Sequence, residues 1–334
     1  MKRADISRLV KDNIIIIALA LTVILLTMTA SGFMTVSNIK NIFIQISLYG
    51  IVAFAMTISI IGGEFDLSVS SLLGVVTILF TDIAKRVNVP VAILVCVSAG
   101  IVVGLINGFM VSKLKINAFV ATLAMMLMLK GFALTYTNGR PINFPNPALN
   151  AFGNGDFLGI PNITLFFLGA FLITWYVLRN TKFGRNVYAA GGNLVVAKMV
   201  GINVDFYKTM LFVILGFATS VAGVLMAMRL SSGNTLFGGD LTMSVVAGVV
   251  IGGTSLSGGR GSAVKTFWGM LFIGVLFNGL QRLAVQANWQ DVIKGSILIV
   301  VVSVDAILAQ KIPLSQITTG RKRKEQISAL PRDV

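Results

Sequence analysis

The chain has 334 residues, of which 56% are hydrophobic and only 12% charged, with a mean hydropathy of +0.89. That composition excludes an ordinary soluble domain. A single cysteine, Cys96, and no histidine exclude a disulfide framework, a zinc site and histidine acid/base chemistry. The net charge of +15 does not form a basic stripe interleaved with aromatics, so it is read as membrane topology and not as nucleic-acid binding.

Apolar segments long enough to span a bilayer occur at Asn13–Ala30, Ile42–Ile61, Leu67–Ile83, Pro90–Val111 and Ala118–Tyr136. The second half supplies Thr164–Leu178, Thr209–Met228, Leu241–Leu256, Phe267–Ala287 and Val292–Leu308. The expectation is an all-α polytopic membrane protein of about ten helices, one transmembrane domain over residues 1–334. Basic residues precede the first segment without an obvious cleavage site, so that segment is read as a retained helix. With the N-terminus cytoplasmic, the even-numbered loops and both tails hold nineteen of the 27 basic residues. The positive-inside rule therefore places both termini, residues 1–12 and 310–334, in the cytoplasm of a multi-pass membrane protein. The cluster from Arg321 to Lys324 is read as an anchor near anionic lipid.

The connection from Thr137 to Asn162, rich in Pro, Gly and Asn, is either a flexible external loop or a docking surface. The cytoplasmic connection over 180–208 carries Arg179, Lys182, Arg185, Lys198 and Lys208 around FGRNVYAAGGNLVVAKMVGINV, Phe183 to Val204. Gly191 and Gly192 can break an incoming helix, Asn193 can N-cap a new one, and Gly201 can close it in a left-handed conformation. The short apolar helix Leu194–Val200 wants either the lipid surface or a groove in another protein, and periodicity leaves both open.

The two halves share a pattern. Asp66-Leu67-Ser68 resembles Asp240-Leu241-Thr242, and Asn107-Gly108 with Asn117 resembles Asn278-Gly279 with Asn288. The equivalent positions lie five spans apart, which predicts two inverted five-helix repeats and a transport pathway at their interface. Candidate pathway residues are Asp66, Ser68, Asn117, Thr122, Asp240, Asn278 and Gln281. Gly100, Gly104 and Gly108, and likewise Ser244, Gly248 and Gly252, have helix-packing spacing. Lys130, Arg282 and Lys294 lie in or near spans, where a charge costs roughly 2.5–3.5 kcal/mol on insertion scales and must face a cavity, a partner or the interface. No catalytic or metal constellation is expected, and no cofactor. The stretch Gly259 to Thr266 approaches a Walker A motif but has Val264 at the required second glycine, so ATP hydrolysis would belong to another polypeptide.

The segments GGEFDLSVSSLLG, NAFVATLAMMLMLKGFALTYTNGRPI, FGRNVYAAGGNLVVAKMVGINV and VVAGVVIGGTSLSGGRGS together resemble the ribose-type permeases of bacterial ABC importers. The resemblance runs from the second span to the last. It implies a monosaccharide or small-polyol permease partnered by a cytoplasmic ABC ATPase, a second permease subunit and an extracytoplasmic sugar-binding protein. It also implies that Phe183, Gly184, Arg185, Ala190, Gly191, Gly192, Asn193, Val196, Met199 and Gly201 belong to a segment that meets the ATPase. Two departures stand out. Glu64-Phe65 and Ser70 replace the family's usual residues around Asp66, and Asp240-Leu241-Thr242-Met243-Ser244-Val245 lacks a second acid. They leave the class standing and put ribose, the usual substrate, in question. The rival reading is an ion-coupled secondary sugar transporter.

Overall fold

In the computed structural model, which describes residues 14–310, the apolar segments form helices whose ends are set by local caps. Helix α1 covers Ile14–Thr29 and α2 covers Val36–Ile61, opened by Thr35, whose side chain accepts from the Asn38 amide. Helix α3 spans Val69–Arg86, and α4 spans Val89–Ser112 behind the N-cap Asn88, with Pro90 in its first turn. Helix α5, Ala118–Thr137, is capped by Asn117 and stopped by Asn138 in a left-handed conformation. A short helix α6, Pro147–Asn154, leads to α7, Asn162–Asn180. Helices α8, Lys182–Gly192, and α9, Leu194–Met199, form a hairpin before the 27-residue α10, Val204–Leu230. Helices α11, Leu241–Ile251, α12, Ala263–Arg282, and α13, Ala287–Gln310, complete the described chain.

Six of these, α2, α4, α5, α7, α10 and α12, are long and apolar enough to cross a membrane. The other four expected spans are also helical but differ in kind. Helices α1 and α11 are shorter, with 16 and 11 residues. Helix α3 ends in Asp82, Lys85 and Arg86, and α13 carries Asp291, Lys294 and Asp305. Helix α11 stops well before Leu256 because Gly252 caps it and Gly253 follows at φ +90°. The tails at 1–12 and from Lys311 onward, with the Arg321–Lys324 cluster, lie outside the described residues.

The core is built around α2, which is buried along most of its length between α10, α7, α12 and α11. Phe54, Phe167, Phe171 and Phe267 interlock there at ring separations of 5.2–5.6 Å. Helix α4 lies against α10 through its glycine stripe. A Cβ on Gly104 would stand 2.8 Å from Val213 Cα, and one on Gly108 would stand 2.8 Å from Thr209 Cα. Close approach without side chains is how helices gain dispersion energy where lipid supplies no hydrophobic drive. Gly248 and Gly252 likewise press against α12, where a Cβ on Gly252 would meet Lys265 C at 2.8 Å.

The two ends of the bundle differ. One, the basic end, gathers the 62–68 turn, the 113–117 turn, the α8–α9 hairpin and the 252–262 turn. Lys208 there pairs with Glu64, and Lys115 bonds Asp205 at 2.7 Å. The opposite end holds two small sheets. In one, strand β1 (Ile142–Asn143) pairs antiparallel with β4 (Ser232–Gly233), tying the Pro/Gly-rich connection to the 231–240 segment. In the other, β2 (Asp156–Phe157) and β3 (Ile160–Pro161) form a hairpin whose base is held by a Lys40–Asp156 ion pair.

Candidate functional site

Five helices, α2, α10, α11, α12 and α13, converge on a cavity of about 200 Å3 toward the end opposite the basic loops. Asp240, the N-cap residue of α11, stands at its centre. Tyr49 Oη, from α2, donates to Asp240 Oδ1 at 2.6 Å, and Lys294 Nζ, from α13, donates to Asp240 Oδ2 at 2.8 Å. Lys294 Nζ also lies 3.4 Å from Asp291 and 5.0 Å from the centre of the Phe277 ring, a cation–π distance. Gln45 Nε2 reaches Gln281 Oε1 at 3.4 Å, while Ser244, Arg229 and Gln290 also line the space. Lys294 matches Asp240 within the cavity, Arg229 has no acid partner among the described residues, and the rest of the lining mixes neutral polar groups with apolar side chains such as Ile46, Met270 and Phe277. A few convergent polar groups on a largely apolar lining suit a small, multiply hydroxylated ligand.

The candidate residues divide between this cavity and other places. Asp240 and Gln281 line it. Asn278 lies buried beside α2 and exchanges two hydrogen bonds with Asn38, at 2.8 and 3.1 Å, with Arg282 Nε joining at 3.0 Å. Asp66, Ser68 and Asn107 form a separate buried cluster at the basic end. Asp66 Oδ1 accepts from the Ser68 amide (2.7 Å) and hydroxyl (2.6 Å), and Oδ2 accepts from Asn107 Nδ2 (3.2 Å). Asn117 is the exposed N-cap of α5, accepting from Phe119 N at 2.9 Å, and Thr122 bonds the Ala118 carbonyl at 2.8 Å. The sequence reading did not single out Tyr49, Gln45 or Asn38. Lys294 was marked by its charge alone, and it does face a cavity.

Burial raises the Asp66 pKa against its three hydrogen bonds, and it raises the Glu64 pKa against the opposing effect of Lys208. Both shifts come from desolvation of carboxylates that sit under the basic end.

The α8–α9 hairpin is the second feature. Asn193 Oδ1 accepts from the amides of Val195 and Val196 at 3.0 and 3.1 Å, and Gly201 follows at φ +81°. Ala197 is buried against Ala190 and Val204, whereas Val195, Val196, Met199 and Val200 are exposed. Phe183 packs on Tyr207 with ring centres 5.4 Å apart, Gly184 fits against Val177 and Leu178, and Arg185 is exposed. Gly191 and Gly192 are the last residues of α8 and the points where the hairpin is seated. Gly191 presses on the Ile61 carbonyl at the end of α2, Gly259 donates to that carbonyl at 2.8 Å, and Tyr188 Oη donates to Gly261 O at 2.8 Å. The stretch Gly259–Thr266 is thus a packed turn running into α12, with Gly259 at φ +71° against Gly192.

Comparison with known proteins identifies the family. A family model described as a branched-chain amino acid transport system / permease component matches residues 38–302, and the chain belongs to that family of polytopic membrane permeases. It is 37% identical to the ribose import permease protein RbsC of Escherichia coli (strain K12) over 295 residues, 87% of this chain and 92% of the relative. It is 39% identical to RbsC of Bacillus subtilis (strain 168) over 292 residues, covering 86% and 91%. The L-arabinose ABC transporter permease protein AraH of Azospirillum brasilense is 33% identical over 306 residues, covering 91% and 90%. No solved structure matches.

Proposed function

We propose that the chain is the membrane-spanning permease subunit of a bacterial ABC importer for a monosaccharide or a related small polyol. The observation that carries this reading is the pairing of a cavity with convergent polar groups at one end with an exposed apolar hairpin at the other. The relatives named for ribose and arabinose import support a sugar. The energy source is a separate ABC ATPase, met at the α8–α9 hairpin through Val196 and Met199. Because Gly191 abuts the end of α2 and α2 carries Tyr49, docking at the hairpin has a short packed route to the cavity. The chain is a transport component and performs no bond chemistry of its own.

In this reading the basic end is cytoplasmic, both termini lie there, and the bilayer is the inner membrane. All ten apolar helices, including α1, α3, α11 and α13, cross or enter it as two inverted repeats. Support comes from the packing: α10 lies on α3 and α4 of the first half, and α2 lies on α11 and α12 of the second. The repeat-related acids differ in use, since Asp66 bonds within its own half and Asp240 bonds to α2 and α13. Transport therefore centres on Asp240, Gln281, Tyr49 and Lys294, with Asp66, Ser68, Asn117, Thr122 and Asn278 shaping the helices around them. A second permease subunit and an extracytoplasmic sugar-binding protein complete the assembly. Ion coupling is disfavoured because the cavity's Asp240 is already matched by Lys294. Purification of the tagged chain from native membranes tests this directly: an ABC ATPase should co-purify, and a complex with none would refute the assignment.

A further inference from the structure

A cleft of about 820 Å3 opens on the flank of the bundle between α7 and α10, floored by α2. Its lining is almost wholly apolar, and small residues make the depth: Ala55 on α2, Gly169 on α7 and Ala218 on α10. A Cβ on Gly169 would meet nothing within 4 Å. On α7 the lining runs from Leu165 to Val177, about 18 Å at 1.5 Å per residue, and Thr181 extends it past the helix end. One leaflet contributes roughly 15 Å of a ~30 Å hydrocarbon core, so an acyl chain fits along the cleft at full length.

The mouth at the basic end identifies the occupant. Thr181 and Phe183 both line the cleft, and Lys182 lies between them in the chain, next to its mouth. Arg185 follows three residues later on the same face of α8. Both are exposed, and neither pairs with an acid among the described residues. We propose that the cleft is a binding site for an anionic phospholipid, its acyl chain between α7 and α10 and its phosphate held by Lys182 and Arg185. A basic rim over a dry slot recognises that combination of chemistries, whereas a zwitterionic lipid would gain the slot and lose the charge attraction. Phe183 gives the site a consequence. It lines the cleft and packs at a tilt against Tyr207, whose hydroxyl accepts from Asn186 Nδ2 at 2.6 Å, so the lipid would bear directly on the α8–α9 hairpin.

The test places a tryptophan in the cleft by Phe217→Trp and reconstitutes the full chain with brominated phosphatidylglycerol or brominated phosphatidylcholine. Quenching beyond that of the parent protein, which keeps Trp175, Trp268 and Trp289, reports occupancy. The labelled lipid is present in both leaflets, so the result does not depend on which way the chain sits or on what it transports. Half-maximal quenching should need several-fold less of the anionic lipid, and Lys182→Gln with Arg185→Gln should bring the two lipids to within twofold. Gly169→Phe, which fills the slot, should weaken quenching by both. Equal quenching by the two lipids in the parent-rim protein would overturn the proposal. So would no quenching by either, the result expected if a second copy of the chain covers the cleft.

Discussion

Two adjacent glycines at the end of α8 offer a matched pair of perturbations. A Cβ at Gly192 would have Gly259 Cα as its nearest neighbour, 3.9 Å away, an ordinary contact. Gly192→Ala should therefore be neutral or slightly stabilising, since alanine is favoured over glycine in a helix by about 1 kcal/mol. A Cβ at Gly191 would overlap the Ile61 carbonyl oxygen and stand 2.8 Å from its carbon and 2.9 Å from Gly259 N. Restoring 3.4 Å to that carbon moves the hairpin by at least about 0.6 Å and breaks the Gly259–Ile61 hydrogen bond. The bond contributes about 0.5–1.5 kcal/mol net and overpacking costs about 1–3 kcal/mol, partly offset by helix propensity. Gly191→Ala should insert normally, melt lower and lose substrate-stimulated hydrolysis in the assembled complex, while Gly192→Ala matches the parent. Indistinguishable melting and stimulation in the two variants would refute the seating of the hairpin on α2.

Three further outcomes follow from the same geometry. Met199→Asp places a carboxylate on the exposed apolar face, and Gly201→Val strains a residue at φ +81° by about 1–2 kcal/mol. Both should reach the membrane and fail to retain the ATPase, and normal co-purification would contradict the docking role. Lys294→Met should lower uptake with little loss of folded protein, because the Asp240 side chain is 42% exposed and the cost stays below the 3–5 kcal/mol of a fully buried broken pair. Unchanged uptake kinetics would remove Lys294 from the pathway. Asp66→Ala leaves Asn107 and Ser68 short of a buried acceptor, so the melting temperature should fall by the equivalent of about 1–3 kcal/mol, and an unchanged melt would show that the cluster is not structural.

Local chemistry was the part of this molecule most legible in the sequence. The Asn193 cap, the left-handed Gly201 and the short helix between them depend on residues within one turn, and they appear as read. The glycine stripe of α4 was readable as a packing face, although its partner α10 was not. What stayed hidden depends on long-range placement. Gly191 and Ile61 are distant in sequence, and nothing near Gly191 announces the carbonyl it rests on. Tyr49 looks like one more aromatic in an apolar run until α11 and α13 bring Asp240 and Lys294 beside it. The internal repeat pointed to Asp66 and Asp240 as a pair, but similarity of spacing does not carry over to hydrogen-bond partners. Asp66 is held by the turn it starts and by Asn107 of α4 in the same half, whereas Asp240 reaches Tyr49 in the other half as well as Lys294 on α13.

Uptake of radiolabelled ribose and arabinose by proteoliposomes holding the complete purified complex tests the central claim most directly. The account predicts accumulation of a sugar that requires ATP on the side of the α8–α9 hairpin, persists when ion gradients are collapsed and disappears without the ATPase. Accumulation driven by an ion gradient in the permease alone, with ATP making no difference, would contradict it.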